Sequence, residues 1–171
     1  SSVWTYEYAI ANDEGGTFTI KGDSTIHTFD GDIASKGNLI FDGHFKLLNC
    51  TIEAQNGMEI SAGSSLAWTD KLVVEGDVTI DDSAILNIYL SSFELDEYLV
   101  LESDASITLS GEIDLNVYDQ GGQALEGWEY ELRPGEGGDQ LWIKAAVPEP
   151  SVYAAVLGIF SLVFAVCRAR K

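Results

Sequence analysis

Up to Leu90, apolar side chains alternate with polar ones in short bursts: Phe18 and Ile20, Leu39 and Phe41, Phe45 and Leu47, Met58 and Ile60, Leu66 and Trp68, Leu72 and Val74, Val78 and Ile80. A period of two puts every second side chain on the same side of an extended chain, so each burst predicts a strand with one buried face. The bursts stop at Gly, Asn or Asp, residues that tolerate positive φ or bond their own backbone at a turn. None of the three prolines precedes Pro134. Glycine and its polar substitutes must therefore make the corners.

The stops are ordered. Gly22, Gly43, Gly63 and Asp82 follow one another at intervals of 21, 20 and 19 residues, and Gly37, Gly57 and Gly76 at 20 and 19. Asn49 and Asp70 mark a third corner. Three short strands per turn of about twenty residues is the requirement of a β-solenoid, in which each rung stacks on its neighbours. The expected fold is all-β, with a short parallel β-helix as the body; a sandwich or irregular barrel is the competing architecture. Beyond Leu90 the candidates Tyr98 to Leu101, Ile107 to Leu109, Ile113 to Tyr118, Trp128 to Leu132 and Leu141 to Ile143 read as antiparallel hairpins capping the solenoid. Trp4, Tyr6 and Tyr8 are candidates to close the opposite end or to offer a docking edge.

Two regions differ in charge. Residues 1–147 hold 27 of the 28 acidic side chains against six basic ones, a balance of about −21, whereas the extreme C-terminus is basic. Such a body repels nucleic acid and anionic lipid. Its 46% hydrophobic and 11% aromatic content supplies the apolar area that a disordered acidic chain lacks. The expected organisation is one folded unit, residues 1–146, and an appendage, residues 147–171. Cys50 and Cys167 lie in unlike settings, and no disulfide is expected. The absence of an initiator Met, with Ser1 leading straight into an apolar aromatic segment, is what removal of an export signal would leave.

Ser151 to Cys167 is a run of seventeen uncharged residues. As a helix it would span roughly 25 Å, at the short limit for a bilayer core. Arg168, Arg170 and Lys171 follow at once, and a basic cluster after an apolar helix marks the cytoplasmic side, placing the body outside. Pro148 and Pro150 hold the approach extended and present Glu149 between them. The order Val147-Pro148-Glu149-Pro150-Ser151, apolar helix with Gly158, basic tip resembles the PEP-CTERM sorting signal of Gram-negative bacteria. That resemblance implies export, transient anchoring in the inner membrane, recognition of Pro148, Glu149 and Pro150 by an exosortase, and release to the cell surface or exopolysaccharide. Arg168, Arg170 and Lys171 would act as the membrane stop. The tip has three charges where many such tails have more, and Cys167 stands where a small or apolar residue is usual, which makes it a candidate for lipidation. The body is more loosely similar to β-helical passenger regions of surface proteins, a likeness of architecture that transfers no function.

Candidate chemistry in the body is sparse. His27 and His44 could share a metal with Asp30, Asp32 or Asp42, although solvent-facing strand histidines are the plainer reading. Asp77, Asp81 and Asp82, or Asp30 with Asp32, could supply paired carboxylates for glycoside cleavage; the alternative is turn chemistry on an acidic surface. Asp30, Asp32, Asp81 and Asp82 are the calcium candidates, without an EF-hand or nonapeptide calcium repeat. Trp68, Trp128 and Trp142 are candidates to stack on sugars, with core or cap packing as the ordinary alternative. The expectation is a non-enzymatic surface or matrix protein with no catalytic residues and no required cofactor beyond possible calcium. Its partners would be the exosortase, the inner membrane and a surface polysaccharide, with no nucleic acid. A self-assembling extracellular filament subunit and a small polysaccharide-active enzyme are the alternatives.

Overall fold

The computed structural model describes residues 2–5, 8–12, 16–28, 32–48, 51–92 and 94–146, and for 2–5, 8–12, 27, 28 and 32 the course of the backbone alone. The apolar run, Cys167, Pro148, Glu149, Pro150, Arg168, Arg170 and Lys171 lie outside the described residues, as do Tyr6, Asp30, Asn49 and Cys50. Among the described residues no helix is long and apolar enough to cross a membrane.

The strands are β1 (Ser2–Thr5), β2 (Tyr8–Asn12), β3 (Thr17–Thr28), β4 (Asp32–Ser35), β5 (Asn38–Leu48), β6 (Thr51–Ala54), β7 (Met58–Ile60), β8 (Ser65–Thr69), β9 (Leu72–Glu75), β10 (Val78–Ile80), β11 (Ile85–Leu90), β12 (Glu97–Ser103), β13 (Ile107–Leu109), β14 (Asp114–Asp119), β15 (Ala124–Leu125), β16 (Trp128–Pro134) and β17 (Asp139–Ala145). β1 to β14 coil into a solenoid of parallel strands with three faces. Residues 17–21 of β3, 38–42 of β5, β7, β10 and β13 make the first face. The second contains β1, the second halves of β3 and β5, β8, β11 and β14. The third contains β2, β4, β6, β9 and β12. β3 and β5 each serve two faces because the chain turns within them, at Gly22 and Gly43.

Inward-pointing residues of equivalent rungs stack into one core. Leu39, Met58, Val78 and Ile107 lie in successive register on the first face, and Phe45, Leu66 and Leu86 on the second, all buried. Alternation of buried and half-buried residues, as in β11, is the strand period anticipated from the sequence.

The corners also fall where the spacing placed them, with one shift. At the corner anticipated at Asp82, Ser83 takes the left-handed backbone, φ 59°. Asp70 takes it at the third corner, φ 53°, its carboxylate accepting the Ser91 amide at 2.7 Å and also bonding the Ser91 hydroxyl. The Ser83 hydroxyl donates to the adjacent Asp82 carbonyl, a local bond that makes this conformation accessible to a residue other than glycine, whereas Asp70 bonds the next turn.

After Leu90 the solenoid continues, where separate hairpins were expected. Three of the five candidates read as hairpin strands are rungs of the solenoid: β12 runs parallel to β9, β13 to β10 and β14 to β11. They escaped the pattern because the repeat lengthens there. The steps from Leu39 to Met58 and from Met58 to Val78 keep the short repeat, but the step from Val78 to its partner Ile107 is nearly half as long again. The steps from Leu86 to Leu115 and from Leu72 to Leu101 are lengthened equally. The extra residues enter between Leu90 and Leu101, where 91, 92 and 94–96 are exposed and β12 extends ahead of its pairing with β9. The antiparallel cap comes later: β15 on β14, β17 on β12, and β16 on β17. Leu141 and Ile143 of β17 are fully buried against the last turn, so the cap closes the core rather than merely shielding an edge. β16, the outermost strand, carries Glu129, Glu131, Arg133 and Pro134, residues that discourage further strand pairing. At the other end, β1 and β2 are parallel strands continuing the second and third faces.

Candidate functional site

On the second face, the side chains that do not enter the core form rows running across the strands. One row is Asp23, His44, Ser65, Ile85 and Asp114; the next is Thr25, Lys46, Ala67, Asn87 and Asn116; a third includes Thr69, Tyr89 and Tyr118. The register makes ladders of like residues. Tyr89 and Tyr118 stack with centroids 5.0 Å apart and 21° between the planes, and the Asn116 amide donates to Asn87 Oδ1 at 3.2 Å. Where Ser65 and Ala67 leave the surface low, a groove of about 440 Å³ opens, lined by Asp23, Thr25, His44, Lys46, Ser65 and Tyr89. Lys46 Nζ lies 4.2 Å above the Tyr89 ring, reaching across Ala67, which is only 7% exposed although it faces outward. His44 Nδ1 and Ser65 Oγ are 2.8 Å apart.

The aspartates singled out from the sequence have other occupations. Asp77 Oδ1 accepts the Ser106 hydroxyl at 2.7 Å and amide at 3.1 Å, Asp82 Oδ1 accepts the Glu112 amide at 3.1 Å, and Asp81 Oδ1 receives the Ser110 hydroxyl at 3.4 Å. Each bond joins one solenoid turn to the next, the turn chemistry weighed against catalysis. The Ser106 hydroxyl and amide also hold the Asp77 carboxyl below its ordinary value, opposite to the elevation a general acid requires. Among the described residues no group of three or more His, Cys, Asp or Glu is placed to hold a metal. Asp42 pairs with Lys21 at 2.9 Å. His27 and Asp32 lie in β3 and β4, whose backbone alone is described there.

The tryptophans sort differently from one another. Trp68 is 2% exposed, and its indole Nε1 donates to the Val100 carbonyl at 2.7 Å; it is core and cannot meet a sugar. Trp128 is half-buried against Tyr98, with centroids 5.7 Å apart. Trp142 lies under the Arg133 guanidinium at 4.9 Å and donates to Gln140 Oε1. Sequence reading missed the groove and the Tyr89–Tyr118 pair, because their residues come from strands brought together only by the register. The equal spacing of Asn87 to Asn116 and of Tyr89 to Tyr118 was the available signal.

The third face and cap carry the ion-paired cluster. Glu102 receives Lys71 at 2.7 Å and Gln140 at 3.1 Å, while Glu131 receives Arg133 at 3.1 Å and Lys144 at 3.4 Å. Lys71 and then Gln140 hold the Glu102 carboxyl below its ordinary value of 4.5; Arg133 and then Lys144 do the same for Glu131. A carboxyl whose pKa is lower folded than unfolded contributes stability above the unfolded value and loses it as pH falls through the folded one. Stability is therefore expected to decline as pH falls below about 4.5. Because these groups are partly open to solvent, each contribution is small. Urea titrations across pH 3 to 6 check this: Glu102→Gln should flatten the acid side of the profile, and an unchanged slope would remove Glu102 from the account.

No protein-family model, curated protein or solved structure matches this chain.

Proposed function

We propose that this is a non-enzymatic, exported cell-surface or extracellular-matrix protein, whose solenoid body is cargo and whose C-terminal 25 or so residues are a PEP-CTERM-type sorting tail. The observation that carries the reading is the order in the tail: Pro148-Glu149-Pro150, the uncharged run Ser151 to Cys167, then Arg168, Arg170 and Lys171. An extended, exposed peptide beside a membrane is what a processing enzyme can grip, and the basic tip orients the body outward. A β-solenoid body is consistent with a structural role. Its corner aspartates bond neighbouring turns, which speaks against their serving as a catalytic pair.

Intact mass spectrometry of the membrane and extracellular fractions tests the reading in a Gram-negative host carrying an exosortase. The extracellular form is expected to end near Pro150, and Glu149→Ala to accumulate uncut in the membrane fraction. An extracellular form that still ends at Lys171 overturns sorting by cleavage and directs attention to the filament alternative, in which the apolar run packs within an assembly.

A further inference from the structure

We infer that the groove on the second face binds an acidic sugar residue, its carboxylate held by Lys46 and His44 and its hydroxyls by Asp23, Thr25 and Ser65. The inference rests on the proposal that the body meets surface polysaccharide, and it names the class of sugar and the place.

Charge pairing gives the first argument. Lys21, Lys71, Arg133 and Lys144 each hold a carboxylate at 2.7–3.4 Å. Lys46 differs: its ammonium rests on the Tyr89 ring, and no described carboxylate lies within ion-pairing distance. In a body whose acidic residues far outnumber its basic ones, a cation held on an aromatic face keeps its charge available to an incoming anion. His44 lies two residues along the same strand and on the same side, so two nitrogen-bearing groups face one groove.

The rest of the lining suits a polyol. Thr25 and Ser65 offer hydroxyls that donate or accept, and Asp23 accepts only. The neighbouring Asn87 and Asn116 add amides along the direction in which a chain of sugars would continue across the turns. At about 440 Å³ the groove lies within the range of about 300–1,000 Å³ usual for small-ligand sites. Tyr89 has one ring face under Lys46 and stacks against Tyr118, so it acts as the seat of the cation rather than as a sugar platform. Recognition then depends on charge and hydroxyl geometry more than on aromatic stacking. Because the body as a whole repels anions, binding should be weak and confined to sugars that use the hydroxyl partners as well.

Full-length protein in detergent, titrated with tetragalacturonate and followed by amide NMR and calorimetry, tests the site. The expected result is saturable binding with shifts at 44–46, 65–67 and 89, and an affinity at least tenfold lower for Lys46→Gln, which keeps most of the side-chain stem. Cellotetraose, neutral and similar in length, should bind at least tenfold more weakly. Equal binding of the two sugars overturns the role of the carboxylate; equal binding of inorganic phosphate shows an anion site without sugar recognition and also overturns the inference. Retention of full affinity in Lys46→Gln overturns the placement. None of these readouts depends on processing of the tail, so failure here leaves the sorting proposal standing, and failure of sorting leaves this site to be judged by its own titration.

Discussion

Gly37→Ala is expected to destabilise the body by about 3 kcal/mol or more, the scale at which overpacking against immovable neighbours is felt. Gly37 stacks on Gly16 of the preceding turn, since Thr17 and Asn38 are register partners. An added Cβ would overlap the Gly16 carbonyl oxygen and lie 2.7 Å from both the carbonyl carbon and the nitrogen of Gly16. These are backbone atoms, held by the Asn38 amide bond to the Gly16 carbonyl at 2.8 Å, so neither turn can yield without breaking the ladder. Gly22→Ala is the control with the opposite cause. Gly22 has φ 95°, but an added Cβ there meets nothing within 4 Å. Its cost should be the conformational one, about 1–2 kcal/mol. Urea unfolding of both variants separates the two demands. Comparable losses would mean that close approach of the turns is not what requires glycine at position 37.

The same pair of glycines shows why the solenoid was legible in the sequence. Each corner asks for a left-handed backbone or for close approach of the next turn, so the demand for glycine repeats at the pitch of the coil and spaces Gly22, Gly43 and Gly63 at 21 and 20 residues. Alternation of apolar residues supplied the strand period independently. What stayed hidden followed from one insertion. Lengthening the turn between Leu90 and Leu101 carried Ile107, Leu115 and Leu101 away from their partners by more than the period sought, and the last rungs looked like separate hairpins. The site was hidden for a different reason. Lys46, Ser65 and Tyr89 are far apart in sequence and chemically ordinary alone; only the parallel register places them around one groove. An aspartate at a turn, conversely, looks much the same in sequence whether it binds a cation, cleaves a glycan or caps an amide. Asp82 accepts the Glu112 amide of the next turn.

Trp68 bonds β12, the strand that carries the cap, and its replacement should cost more than an ordinary strand substitution. β12 and β17 lose register between Leu99 and Leu101, so Val100 is the extra residue of a bulge. Val100 is fully buried, and its carbonyl receives the Trp68 indole at 2.7 Å. A buried carbonyl outside the ladder needs such a partner, because stranding it costs about 1–3 kcal/mol. Trp68→Phe removes the donor while keeping an aromatic ring in the core, and a loss of about 1–3 kcal/mol is expected, with hydrogen exchange rising in 97–103 and 139–145 before the earlier turns respond. Trp68→Ala adds a cavity, for a total of about 3–5 kcal/mol. If Trp68→Phe unfolds at the same urea midpoint as the parent and exchange in β12 is unchanged, the indole bond does not secure the bulge. The loss in Trp68→Ala would then belong to packing alone. A graded response, phenylalanine intermediate and alanine severe, would instead identify one side chain of the second face as the link that lets a lengthened turn rejoin the third.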